Sequence, residues 1–95
     1  MTILADGVPS PRVRGPVCVL MFSGDIGGGT LTVQRLVDAG DPAIDSDWVT
    51  LADLSSTAVY TTSPGGAQFD VKRSTWLRVV LTGSTNSSLE YTFNY

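Results

Sequence analysis

The chain has 95 residues and a mass of 10.0 kDa, with six basic and nine acidic side chains, a formal charge of −3 and no histidine. At this size it is one domain with a thin core, burying about 60–65% of the surface its extended form exposes, and at 42% hydrophobic it is too apolar to be disordered. With one cysteine and no histidine it cannot build a Ser-His-Asp or Cys-His relay, a Cys/His zinc site or an internal disulfide. Helix formers are scarce: one Glu, one Lys and six Ala stand against eleven Val, eleven Thr and eight aromatics. Branched and aromatic side chains fit a pleated surface and lose rotamer freedom in a helix. Ten Gly and five Pro cut the chain at short intervals, so an all-β domain is expected.

Residues 1–16 carry Pro9, Pro11 and Pro16. Proline lacks a backbone donor, so this stretch is expected to be an extended N-terminal arm preceding a sandwich domain at 17–95. The first strand is expected at 17–23, apolar on both faces, with Cys18 as a small buried hydrophobe. Gly24-Asp25-Ile26-Gly27-Gly28-Gly29 is an inter-strand turn; it lacks the Lys-Ser/Thr and the following helix of a phosphate loop. Residues 30–37 alternate Leu31, Val33, Arg35 and Val37 against Thr32, Gln34 and Leu36, the period of a sheet. A polar loop at 38–47 is followed by strands at 48–54 and 58–61. Ser63-Pro64-Gly65-Gly66 suits a type II turn. Strands are then expected at 68–72, at 76–82 with Leu77, Val79 and Leu81 on one face, and at 89–95 with Tyr91 and Phe93 inward.

About seven strands at roughly ten-residue spacing predict an antiparallel β-sandwich, jelly-roll or immunoglobulin-like, with Leu31, Val33, Leu77, Val79, Leu81, Tyr91 and Phe93 in its core. Neither an internal repeat nor a domain boundary is visible.

The densest chemistry is the acidic loop, where Asp38, Asp41, Asp45 and Asp47 are candidate ligands for a hard cation. Their spacing does not match the EF-hand loop, and Asp is also a common turn residue, so a solvated hairpin loop is the preferred reading. Trp48 and Trp76 are candidates for stacking on sugar rings, against the commoner role of a strand tryptophan in a core. Asn86-Ser87-Ser88 fits a glycosylation acceptor, but nothing places the chain in a secretory pathway, and the N-terminus lacks the basic and apolar regions of a signal peptide. No apolar run approaches the ~18 residues of a membrane helix. A net-negative chain with Arg12 and Arg14 in its arm is a poor nucleic-acid binder. No carboxylate pair suits acid–base work, so no active site, cofactor or catalytic metal is expected.

The exterior is coated with hydroxyls rather than charges: Ser and Thr total 21 residues. Open sandwiches leave strand edges that lysines commonly blunt, and the one lysine here is Lys72. Packing against other copies answers both features, with the arm residues Pro9, Pro11, Arg12 and Arg14 as expected contacts to a neighbouring copy.

Gly29-Thr30-Leu31-Thr32-Val33-Gln34-Arg35, the acidic loop, Asp47-Trp48-Val49-Thr50-Leu51 and the later Trp76-Leu77-Arg78-Val79-Val80-Leu81-Thr82-Gly83 together resemble a group of small tailed-phage virion proteins over roughly residues 27–95. The glycine-rich hairpin tip common in that group is here Asp38-Ala39-Gly40-Asp41-Pro42, longer and more acidic. The resemblance implies a β-sandwich capsid decoration or cement protein. Such a protein is a homo-oligomer, expected to be a trimer, that works on the virion with the major capsid protein as partner. It transfers no catalytic residues. The alternative is a fibre- or tail-borne module holding host-surface carbohydrate through Trp48, Trp76 or the acidic loop.

Overall fold

A computed structural model describes residues 2–51, 59–85 and 88–94. The described chain is all-β, with antiparallel sheets arranged as in a β-sandwich. Its strands are β1 (Thr2–Ile3), β2 (Val13–Ser23), β3 (Thr30–Leu36), β4 (Trp48–Thr50), β5 (Val59–Tyr60), β6 (Gly65–Thr82) and β7 (Glu90–Asn94), with a single 3₁₀ turn at Asp45–Asp47. Their order is β1-β7-β2-β6-β3-β4, with β5 beside β3. The pivot is β6: residues 65–70 and 75–77 pair with β2, while 77–82 pair with β3. One strand therefore serves both layers.

Alternation then builds the core. Cys18, Leu20 and Phe22 of β2, Leu31 and Val33 of β3, Phe69, Leu77, Val79 and Leu81 of β6, and Leu89, Tyr91 and Phe93 at β7 point inward, joined by Leu4 and Leu51. Inward positions of β2 are even at Cys18 but odd at Val13, which sits opposite Leu77 and packs on the core. The parity changes across the register shift between Gly15 and Val17, where Pro16 stands. A proline is tolerated there because a ladder bond is already interrupted.

Three expectations are corrected. Residues 1–16 do not stand off as an arm, and β2 begins inside that segment at Val13. Thr2–Ile3 pairs with β7, Leu4 N–H donates to Leu89 O (2.9 Å), and Gly7 N–H donates to Leu81 O (2.7 Å). Between the donor-less Pro9 and Pro11, Ser10 pairs with Val79 by itself. Its N–H donates to Val79 O (2.9 Å) and its hydroxyl accepts from Val79 N–H (2.9 Å), taking the place of a strand carbonyl. The prolines limited the number of donors without keeping the segment off the sheet.

Second, 68–72 and 76–82 are one strand, since no Gly or Pro lies between Lys72 and Trp76 to end it. Third, Gly65 and Gly66 open β6 opposite Phe22 and Met21, and Gly65 lacks the positive φ that a type II turn requires, so no such turn forms. Of the strand expected at 48–54, residues 52–54 lie outside the described residues. So do Ala58 of the strand at 58–61 and Asn86-Ser87 of the glycosylation motif.

The 24–29 turn is fastened to the loop after β6. Ser84 Oγ donates to Ile26 O (2.7 Å) and Thr85 N–H to Gly27 O (3.0 Å). Gly27 has φ +62°, and a Cβ there would collide with the Thr85 carbonyl, so both conformation and space require glycine.

Candidate functional site

The strand registers gather on one outer face nearly all the residues singled out from sequence. Gln34 stands opposite Arg78, Leu36 opposite Trp48, and Arg14 opposite Trp76. Residues two apart share a face, so Trp76, Arg78 and Val80 form the central row, flanked by β3 and the start of β2.

Arg78 organises this face. It is only 8% exposed, and its guanidinium lies 4.4 Å from the centre of the Trp48 ring. Its Nε donates to Gln34 Oε1 at 2.8 Å, and Nη1 lies 3.5 Å from Asp45 Oδ1. A buried cation needs this many partners because desolvation is expensive. The ion pair is the weakest of them, since the Asp45 side chain is 90% exposed and the contact is long. Gln34 and Arg78 are 44 residues apart, so only the sheet register brings them together.

The acidic loop bonds mainly to itself. Asp47 Oδ2 accepts Asp41 N–H (2.9 Å), Asp41 Oδ1 accepts Ala43 N–H (2.9 Å), and Trp48 Nε1 donates to Pro42 O (3.1 Å). Asp41 and Asp47 thus act as turn acceptors, for which the aspartate side chain is suited. Among the described residues no three Asp, Glu or Cys side chains converge as a cation site. Ala39, at the tip, takes φ 60°, a left-handed conformation uncommon for a residue with a Cβ.

Next to this loop, Arg12 and Arg14 place their guanidinium carbons 4.7 and 5.2 Å from the centre of the half-buried Trp76 ring. Both arginines are exposed. A cleft of about 270 Å³ separates Arg14, Thr75 and Trp76 on one wall from Leu36–Gly40 and Pro42 on the other. It is small beside the roughly 300–1,000 Å³ of ordinary ligand pockets.

Trp48 is buried at 6% exposure but belongs to this outer cluster rather than to the main core. Each tryptophan has a guanidinium over its ring, so a sugar stacking on that face would have to displace an arginine. Pro9 and Pro11 lie away from the cleft, flanking Ser10 on the edge of β6. Arg78, Gln34 and Thr75 were not singled out as site residues from sequence. The alternation of β6 already placed Arg78 beside Trp76, but nothing local named its partners.

The opposite layer presents a second outer face of different chemistry. On β2, Val19 and Met21 are 39% and 57% exposed. Val19 lies between Gln68 and Asn94, and Met21 between Gly66 and Thr92. A Cβ on Gly66 would come within 2.5 Å of Leu20 O, so this position stays bare beside Met21. Among the described residues no strand pairs with the edge of β6 at 65–70 that faces away from β2.

No protein-family model matches the chain, and neither a curated protein nor a solved structure matches it significantly.

Proposed function

We propose that this protein is a non-enzymatic virion structural protein, a capsid decoration or cement module of a tailed phage. It bridges capsid subunits as a homo-oligomer, with three-fold symmetry as the natural match to a three-fold lattice point. The sandwich is of the jelly-roll or immunoglobulin-like kind, in keeping with β2 lying beside β6 and β7 rather than beside its sequence neighbour β3.

The observation that carries this reading is the outer face on which Val19 and Met21 are exposed, between the flanking charges of Asp70 and Glu90. Exposed apolar side chains among small and amide-bearing neighbours form a surface that a broad protein partner covers at little desolvation cost. A module that binds only the assembled lattice stabilises it by mass action. The carbohydrate reading is not retained, because the tryptophans it relies on are stacked by Arg12, Arg14 and Arg78.

Electron microscopy of the phage particles, with the protein removed and then added back, tests the proposal. Added protein is expected to appear as regular density on the shell and to raise the temperature at which particles release DNA. Met21→Glu, at an exposed site that leaves the fold intact by circular dichroism, is expected to abolish both effects. Bare shells after addition, or full decoration by Met21→Glu, would refute it.

A further inference from the structure

The charged face carries an inference of its own. Arg12 and Arg14 are exposed and contact the Trp76 ring, and among the described residues neither faces a carboxylate within ion-pair distance. A guanidinium over an indole is held in place while the N–H groups around its rim remain able to donate. Two such cations side by side make a local basic patch on a chain of net charge −3.

Their complement lies on the loop that forms the cleft's other wall and continues beyond it. Asp41 and Asp45 are exposed, on a loop braced by the Trp48 and Asp47 hydrogen bonds. A carboxylate offers about four acceptor positions. Asp41 gives one oxygen to Ala43 N–H, and Asp45 gives one to Arg78 at 3.5 Å, so both keep capacity for a further donor. The cleft walls place the basic half, with Arg14 and Trp76, directly beside the acidic half, with the 38–42 loop. A surface with adjacent positive and negative halves is complementary to itself under a two-fold rotation, because each half then meets its opposite.

We infer that this face is a salt-sensitive interface with a second copy of the chain. Arg12 and Arg14 of one copy receive Asp41 and Asp45 of the other, reciprocally, around a pair of opposed Trp76 rings. An aromatic flanked by arginines is the usual make-up of an interface centre. The inference rests on the proposed reading of the protein as a shell module but uses a different face: the lattice sets the three-fold arrangement, and the charged face pairs copies of neighbouring three-fold groups two-fold. The Val19–Met21 face meets the capsid and the Arg12–Arg14 face meets a neighbouring copy.

Sedimentation velocity of the full chain tests it. The wild type is expected to self-associate in about 50 mM NaCl and to weaken by roughly tenfold or more in about 500 mM NaCl, where the Debye length is far shorter. Arg12→Glu/Arg14→Glu is expected to be monomeric in both, with an unchanged circular dichroism spectrum. Mixing it with Asp41→Lys/Asp45→Lys is expected to restore a complex that neither variant forms alone. Three results would overturn the inference: a wild type monomeric at low salt up to ~1 mM, association indifferent to salt, or association unaffected by Arg12→Glu/Arg14→Glu. A shell that stays bare while these results hold sinks the capsid reading alone. Decoration by a chain that fails here sinks only the interface.

Discussion

Ser10 is the residue that turns a proline-rich stretch into part of the sheet. It is 7% exposed, and its hydroxyl satisfies Val79 N–H at a point where neighbouring prolines have no donor to offer. Ser10→Ala removes that acceptor and leaves a buried amide unpaired, a loss of about 1–3 kcal/mol. Urea denaturation is expected to show a lower midpoint with little change in slope; a midpoint equal to wild type would mean that water takes over the hydroxyl's role. None of this was legible in the sequence, where Ser10 is a small polar residue between two breakers. Arg78 makes the same point. Its place beside Trp76 follows from alternation, but its bonds to Gln34 and Asp45 depend on which strands become neighbours.

At the scale of elements, local pattern was a good guide wherever strands are amphipathic and bounded by turn residues. The strand expected at 30–37 forms at Thr30–Leu36, and that expected at 89–95 forms at Glu90–Asn94. It failed where a breaker was given too much weight or supplied where none exists. Pro16 does not stop β2, because a register shift absorbs it, and β6 runs on between residues 72 and 76, where no breaker interrupts it. The prolines of the N-terminal segment likewise remove donors without keeping it off the sheet.

That segment covers the edge of β6 at 79–81 and buries Leu4 to 3% exposure. Deleting residues 1–10 removes a core side chain, worth about 1.5–3 kcal/mol, and uncovers a strand edge. The deletion variant is expected to melt lower and to aggregate on warming by light scattering. A truncated chain that melts like the full one would show that the segment is only laid on the surface.

For the molecule as a whole, pH stability follows from three buried groups. Burial pushes the Cys18 thiol above its ordinary 9.0 and the Tyr60 and Tyr91 phenols above their ordinary 10.0, with a Ser10 hydrogen bond partly offsetting the effect at Tyr91. All three are neutral when protonated, and the fold favours that form. Their contribution is therefore complete below the unfolded values and is lost as pH rises through the higher folded ones. Urea midpoints are expected to fall above roughly pH 9–10, and the Cys18 thiol to react with an aromatic disulfide reagent only as the chain unfolds. Reaction of the native protein at neutral pH would contradict the burial. The layered all-β architecture was readable from composition and alternation because both are local. The joining of two layers through one strand, and the gathering of Arg12, Arg14, Trp48, Trp76 and the acidic loop on one face, arise from long-range pairing that no window of sequence contains.

The pairing of Thr2 with Tyr91 has a practical consequence. Because β1 and β7 run antiparallel, the start of β1 and the end of β7 lie at one rim. A short glycine-rich tether can join them, giving a circularly permuted chain that opens elsewhere. Cargo fused before Thr2 or after Asn94 departs from the same corner, which makes the two fusion sites interchangeable for display.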